Sequence, residues 1–287
     1  NGNALAIQNM VRQAEKATVD MDVQVKPLQG SQLTVDVTLQ NKTGHRFPSG
    51  VAFRRAFLEL LVLDGQGRVV WSSGRTNEAG VIVNGAGEPL KTEFLPDRNT
   101  YQPHYQVITR QDQVQIYEEL VQNADYDFTT SFIHRVHDIK DNRLLPKGWR
   151  DSDVFKSMGQ VMLQFMEATD PLVTNDPDYK DQGPDFPGKD HLQYQISLPA
   201  PFNPAGLSVQ VTMYYQSIPP YYLQQRFVTA PFGPATQRLY YLTSHLNTTG
   251  TAIEDWKLPL VTMATRFDKN TGSWSKAVQV KKDRKNM

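Results

Sequence analysis

Histidine is the commonest side-chain ligand for transition metals and haem iron, and this chain of 287 residues has six. The one best set for that work is His45, in Thr43-Gly44-His45-Arg46-Phe47-Pro48-Ser49-Gly50. Gly44 and Pro48 fix the backbone direction, so a neutral imidazole there can be aimed at haem iron or copper. Arg54 and Arg55 follow at the head of an apolar run, and an arginine pair can clamp carboxylates such as haem propionates. The same residues admit a plainer reading. His45 then bonds backbone within its turn, one arginine stays in solvent, and the other pairs with a buried acid.

The remaining histidines are less well provided. His134 and His137 stand three apart in an extended run, where they point to opposite faces and cannot chelate one ion unless the segment is helical or bulged. His104, after Pro103, is isolated, His191 begins a strand, and His245 sits at a helix end where it complements the dipole. A composite copper site from two or three of these has no spacing in its favour. Asp176, Asp178 and Asp181, with Gly183 and Asp185, offer hard oxygen ligands suited to calcium. That spacing fails the EF-hand loop, with no acid at its fifth position and no Glu at its twelfth, and a solvated loop is the competing reading.

No catalytic set accompanies these residues. There is no G-x-S-x-G elbow, no phosphate-cradling glycine loop and no cysteine. Glu118 and Glu119 alternate faces of a strand and form no acid/base dyad. The pairs Tyr214-Tyr215, Tyr221-Tyr222 and Tyr240-Tyr241 could stack sugars, or lie half-buried with wet hydroxyls. The absence of cysteine removes disulfides, thiolate metal sites and covalent haem attachment through C-x-x-C-H. With 30 basic and 30 acidic residues there is no net field to draw the chain to nucleic acid. Only Lys276 to Lys285 is locally basic, a solvated terminus. No run of about 18 apolar residues exists to span a bilayer. The abrupt start at Asn1-Gly2-Asn3 reads as a mature or excised piece of a longer precursor.

The elements that must position these residues are mostly strands. Residues 4–18 form a short amphipathic helix, so 1–19 is an N-terminal helix or linker. Met21–Val25 and Leu33–Leu39 alternate apolar and polar residues. Ala56–Leu63 ends in Asp64-Gly65-Gln66-Gly67, a hairpin signal, and Arg68–Gly74 returns. Further strands are expected at Gln106–Ile108, Val114–Leu120 and Thr129–Ile139. Asp151–Met166 has helical spacing, and 167–190 reads as a long loop. His191–Leu198 and Leu207–Gln216 could form a second hairpin, helices are expected over 220–227 and 234–246, and Trp256–Phe267 is extended. The expectation is a mainly β fold, with an immunoglobulin-like β-sandwich over 20–150 and a second β-rich part with helical insertions over 151–287. The two parts have no flexible linker between them, which leaves room for one shared sheet system.

Several of these strings together resemble one family. Gly44–Gly50, Arg54-Arg55, Leu58–Asp64 and Val69-Val70-Trp71-Ser72-Ser73-Gly74 are similar to the non-haem C-terminal region of certain bacterial multihaem c-type cytochromes. Gln113–Glu118, Lys140–Trp149 and Tyr214–Pro220 extend the likeness over about residues 40–220. The family's C-x-x-C-H haem sites are missing. The resemblance implies an accessory, non-catalytic domain of a periplasmic, extracellular or cell-surface electron-transfer system. Its partner would be a haem-bearing cytochrome segment or subunit, lying upstream or separate, whose haem c it docks on, shields or ligates axially. His45 would be the ligand, with Arg54 and Arg55 at the propionates. The alternatives are a secreted protein holding copper or calcium through His and Asp, and a carbohydrate- or surface-adhesion module using the tyrosines.

Overall fold

The computed structural model describes residues 2–94, 100–149, 159, 176–179 and 187–280. The protein is mainly β, as its alternating segments predict. The first helix, α1 (Gly2–Ala17), buries only Val11. It leads into β1 (Val19–Val25) and β2 (Gln32–Asn41), which pair antiparallel. β3 (Arg55–Leu63) and β4 (Val69–Ser73) form the expected hairpin. Its open end is tight: Gly74 has φ +78°, and a Cβ there would lie 2.1 Å from the Leu58 carbonyl oxygen.

Two sheets carry the core. The first runs β1-β2-β10-β5, with β10 at Lys189–Ser197 and β5 at Val107–Ile108. The second runs β13-β12-β11-β3-β4, with β11 at Ser208–Gln216, β12 at Leu258–Asp268 and β13 at Ser273–Trp274. β6 (Ile116–Tyr117) adds to β3, and β14 (Val278–Gln279) to β12. Alternate residues of each strand face one core. Leu33, Val35, Val37 and Leu39 of β2 meet Leu58, Leu60 and Val62 of β3 and Val209, Val211 and Met213 of β11 in it. β3 is buried on both faces, which is why its sequence is continuously apolar. Its far face packs Phe57 with Ile82, Leu90, Val114 and Ile116.

Several expectations are corrected. A boundary at residue 150 does not exist in the sheets: β10 lies against β2, and β11 lies between β3 and β12. The sandwich therefore draws on both halves of the chain. Nor do β10 and β11 make a hairpin, since they belong to different sheets. The run at 114–120 splits at Glu118 into β6 and β7 (Glu119–Gln122), and β7 serves a third sheet, β8-β7-β9. There β8 (Phe128–Thr129) and β9 (His137–Asp141) are separate strands joined by a turn, not one strand over 129–139. Two proline-started helices, α2 (Pro220–Thr229) and α3 (Pro234–His245), follow β11 as expected. The expected helix at 151–166 and most of the acidic loop lie outside the described residues.

Candidate functional site

The His45 turn leaves the end of β2 and is held by one side chain. Asn41 Oδ1 accepts bonds from Thr43 N (2.8 Å) and Thr43 Oγ1 (2.7 Å). Its Nδ2 donates to the carbonyls of His45 (2.8 Å) and Leu144 (2.9 Å). Phe47 and Leu144 then exchange backbone bonds of 2.9 and 2.8 Å. Beneath the turn, Arg46 is buried against Asp141 and stacks 4.5 Å from the Trp149 ring.

On this base the His45 ring is exposed. Its Nδ1 lies 2.9 Å from the Arg46 carbonyl oxygen. A carbonyl only accepts, so Nδ1 carries the proton and the Nε2 lone pair is left for a ligand. This is the arrangement that orients a metal-binding imidazole, with a backbone carbonyl fixing the tautomer from behind.

The two arginines part company. Arg54 is exposed, with its guanidinium folded over Gly50, where a Cβ would sit 2.8 Å from Arg54 Nη1. Arg55 is fully buried. It donates to both Glu93 oxygens at 2.7 Å and to Gln216 Oε1 at 2.8 Å. Glu93 also accepts from Ile82 N at 2.8 Å. Burial lowers the Arg55 pKa, but Glu93 outweighs it and the group stays firmly cationic. Its three nitrogens are all engaged and the side chain is out of solvent, so Arg55 is no propionate clamp. Of the pair only Arg54 can meet a ligand carboxylate.

A second cluster lies where β6, β9, β10 and the turn at 176–179 meet. His104 Nε2 donates to Asp176 Oδ2 at 2.8 Å and lies 3.6 Å from Asp190 Oδ1. Ligand atoms of His104, Asp176 and Asp190 fall within 4.8 Å of one another, the composition of a two-carboxylate, one-histidine metal site. Tyr117 OH donates to Asp190 Oδ2, and Tyr179 OH donates to the Asn142 carbonyl at 2.8 Å. Asp190 Oδ1 is buried without a hydrogen-bond partner.

The surroundings of the other ring nitrogen decide against a metal. Gln115 Nε2 (2.9 Å) and Asn142 Nδ2 (3.0 Å) both point at His104 Nδ1. Neither amide is free to turn over. Gln115 Oε1 accepts from Tyr105 N at 2.8 Å, while Asn142 Oδ1 accepts from Glu118 N and Asn142 Nδ2 donates to the Ile116 carbonyl. Nδ1 is thus an acceptor and Nε2 holds the proton. A metal at Nε2 needs that proton gone and an acceptor facing Nδ1–H. This shell is the reverse.

Burial lowers the basicity of His104, but Asp176 and Asp190 outweigh it and raise its pKa to about 9. A second proton would have to enter between two N–H donors. The amides and the carboxylates therefore pull against each other. The geometry stands with the amides, because three backbone contacts hold them in place. The cluster is a buried hydrogen-bonded knot joining β6, β9 and β10.

The proposed calcium ligands divide accordingly. Asp176 is engaged by His104 and by Asp178 N at 2.8 Å, and Asp178 accepts from His191 N at 2.9 Å. Asp181 lies outside the described residues. His137 stacks on Tyr126 at 4.5 Å, while His134 is exposed in the turn before β9. Glu118 pairs with Lys140 at 3.0 Å and Glu119 with Arg135 at 2.6 Å. Among the tyrosine pairs, Tyr221 is buried and Tyr222 packs on Phe53, while Tyr240 and Tyr241 are exposed. The reading from sequence passed over His104. One signal was there: Asp190 occupies an inward position of β10, on the face of Leu192, Tyr194 and Ile196. An acid at that register needs a buried partner.

No protein family matches this sequence, and no curated protein sequence matches it. Among solved structures, the penta-haem cytochrome c552 from Thermochromatium tepidum is similar at 14% identity and a TM-score of 0.45. The match covers 89% of this chain and 41% of the length of that one. No helix among the described residues is long and apolar enough to cross a membrane.

Proposed function

We propose that this chain is an accessory, non-catalytic domain of a multihaem cytochrome electron-transfer system outside the cytoplasm, and that it meets haem held elsewhere through the His45 turn. One observation carries the reading. His45 is exposed, its Nδ1 proton is committed to the Arg46 carbonyl, and its Nε2 lone pair is left for iron. Arg54, exposed beyond the same turn, supplies a charge for a propionate. The strings Gly44–Gly50 and Val69–Gly74, which resemble the haem-free region of such cytochromes, support the same reading. The framework holds the imidazole and leaves the redox chemistry to the haem.

Isolation of this polypeptide from its native cells, followed by haem staining and a pyridine haemochrome spectrum, tests the proposal. Covalent haem c in a longer form of the same polypeptide or in a stoichiometric partner is expected. A native form without any haem-bearing segment or subunit overturns it.

A further inference from the structure

The α2–α3 hairpin is an outlier on this molecule. α3 buries only Thr236 and rests on α2 through Phe227 and Tyr240, edge to face at 5.3 Å. Twelve residues are too few for a helix to persist in water without cover. Yet Val228, Tyr240, Tyr241 and Leu246 are all exposed, and Phe232, in the turn between the helices, is 86% exposed. A second apolar tip stands beside it. The turn before β9 is tied to α2 by Thr130 N donating to Gln225 Oε1 at 2.8 Å, and it exposes Phe132 and Ile133, the latter by 82%.

The charges of the hairpin itself are of one sign. The chain has no Asp or Glu between Asp190 and Glu254, nor between Asp127 and Asp138. Arg226 and Arg238 lie on the two helices, while Arg135 in the neighbouring turn is paired with Glu119 at 2.6 Å and with Asp138 at 3.1 Å. In a chain with equal numbers of acids and bases, the hairpin is thus locally cationic beside its protruding apolar tip.

We propose that the α2–α3 hairpin and the adjoining turn at 131–136 form a docking surface for an anionic phospholipid bilayer, with the protein lying on the membrane rather than crossing it. The shape favours lipid over a folded partner. Phe232 and Ile133, the most exposed large apolar side chains among the described residues, stand on separate turns, and a fluid interface takes such tips without complementary pockets. Arg226 and Arg238 meet lipid phosphates, and the hairpin itself carries no carboxylate to repel the headgroups.

Flotation with vesicles of phosphatidylcholine alone, and of equal parts phosphatidylcholine and phosphatidylglycerol, tests this. The wild-type chain should float with the anionic vesicles, and less so as salt rises. The double variant Phe232→Asp, Ile133→Asp should lose roughly tenfold or more of that partitioning. Both positions are in exposed turns, and an unchanged melting temperature will show that the fold is kept. Equal flotation of variant and wild type overturns the proposal, as does equal binding to neutral vesicles or none to either. A concentration-dependent dimer abolished by the same variant would assign the surface to a second copy of the chain instead, and also overturns it.

Discussion

Asn41 bonds the carbonyls of His45 and Leu144 with one amide group, at 2.8 and 2.9 Å, so the exposed histidine is set from inside the sandwich. The end of β2, the His45 turn and the chain after β9 are thereby one rigid unit. Asn41→Ala removes these bonds, while the Leu144 carbonyl keeps Phe47 N and the His45 carbonyl keeps Thr43 Oγ1. We expect a loss of about 1–3 kcal/mol in urea unfolding, from a net value of about 0.5–1.5 kcal/mol per hydrogen bond. Thr43→Ala should cost less, since the backbone bonds of Asn41 survive it.

Arg55 is structural, and its removal should show that. Arg55→Met strands the Glu93 carboxylate in the core and should cost about 3–5 kcal/mol of stability. The double change Arg55→Met, Glu93→Leu should recover much of that, because no charge is left unpaired. Arg54→Ala should change stability by no more than about 0.5 kcal/mol. Denaturant titrations of the four proteins check this. Equal costs for Arg54→Ala and Arg55→Met would be inconsistent with the buried pair.

The tautomer of His104 is open to direct measurement. Nitrogen-15 NMR at neutral pH should show its Nε2 protonated and its Nδ1 bare, with no change on adding Zn2+. Gln115→Glu keeps an oxygen for Tyr105 N and turns a second oxygen toward Nδ1, so it should favour a proton there. A wild-type His104 protonated on Nδ1 would contradict the amide arrangement.

Acid should weaken the fold partly through Asp141. Burial works against its ionisation, but Arg143 and Arg46 outweigh this and hold its pKa below the ordinary 3.8. A carboxyl with a depressed folded pKa contributes stability that is complete above its unfolded value and is lost as pH falls through the folded one. Melting temperature should therefore fall as pH drops below about 4. Asp141→Asn should lower it at neutral pH and flatten that acid limb. A variant with the same acid limb as wild type would show that other groups govern it.

Much of the framework was legible in the chain. The alternation of Leu33–Leu39 and Leu207–Gln216 places their apolar residues on inner faces, where the structure has them. Pro220 and Pro234 mark helix starts. What was not legible is pairing at long range. Nothing near Leu192 or Val211 says that one strand joins β2 and the other β3, because alternation fixes a face and not a neighbour. The split at Glu118 is invisible for the same reason. His104 has its partners on four separate stretches, and no spacing encodes them. Arg54 and Arg55 show the limit within two residues. Successive side chains on an extended segment face opposite ways, but the sequence does not say which way is in.

The central claim, that His45 offers Nε2 to haem iron, is tested most directly by titrating the chain with a ferric haem c peptide whose sixth coordination position is open. The account predicts a shift of the Soret band to the low-spin, bis-imidazole form with the wild-type chain and with His191→Ala, and its loss with His45→Ala. An equal shift with His45→Ala, or no shift with the wild type, would contradict it.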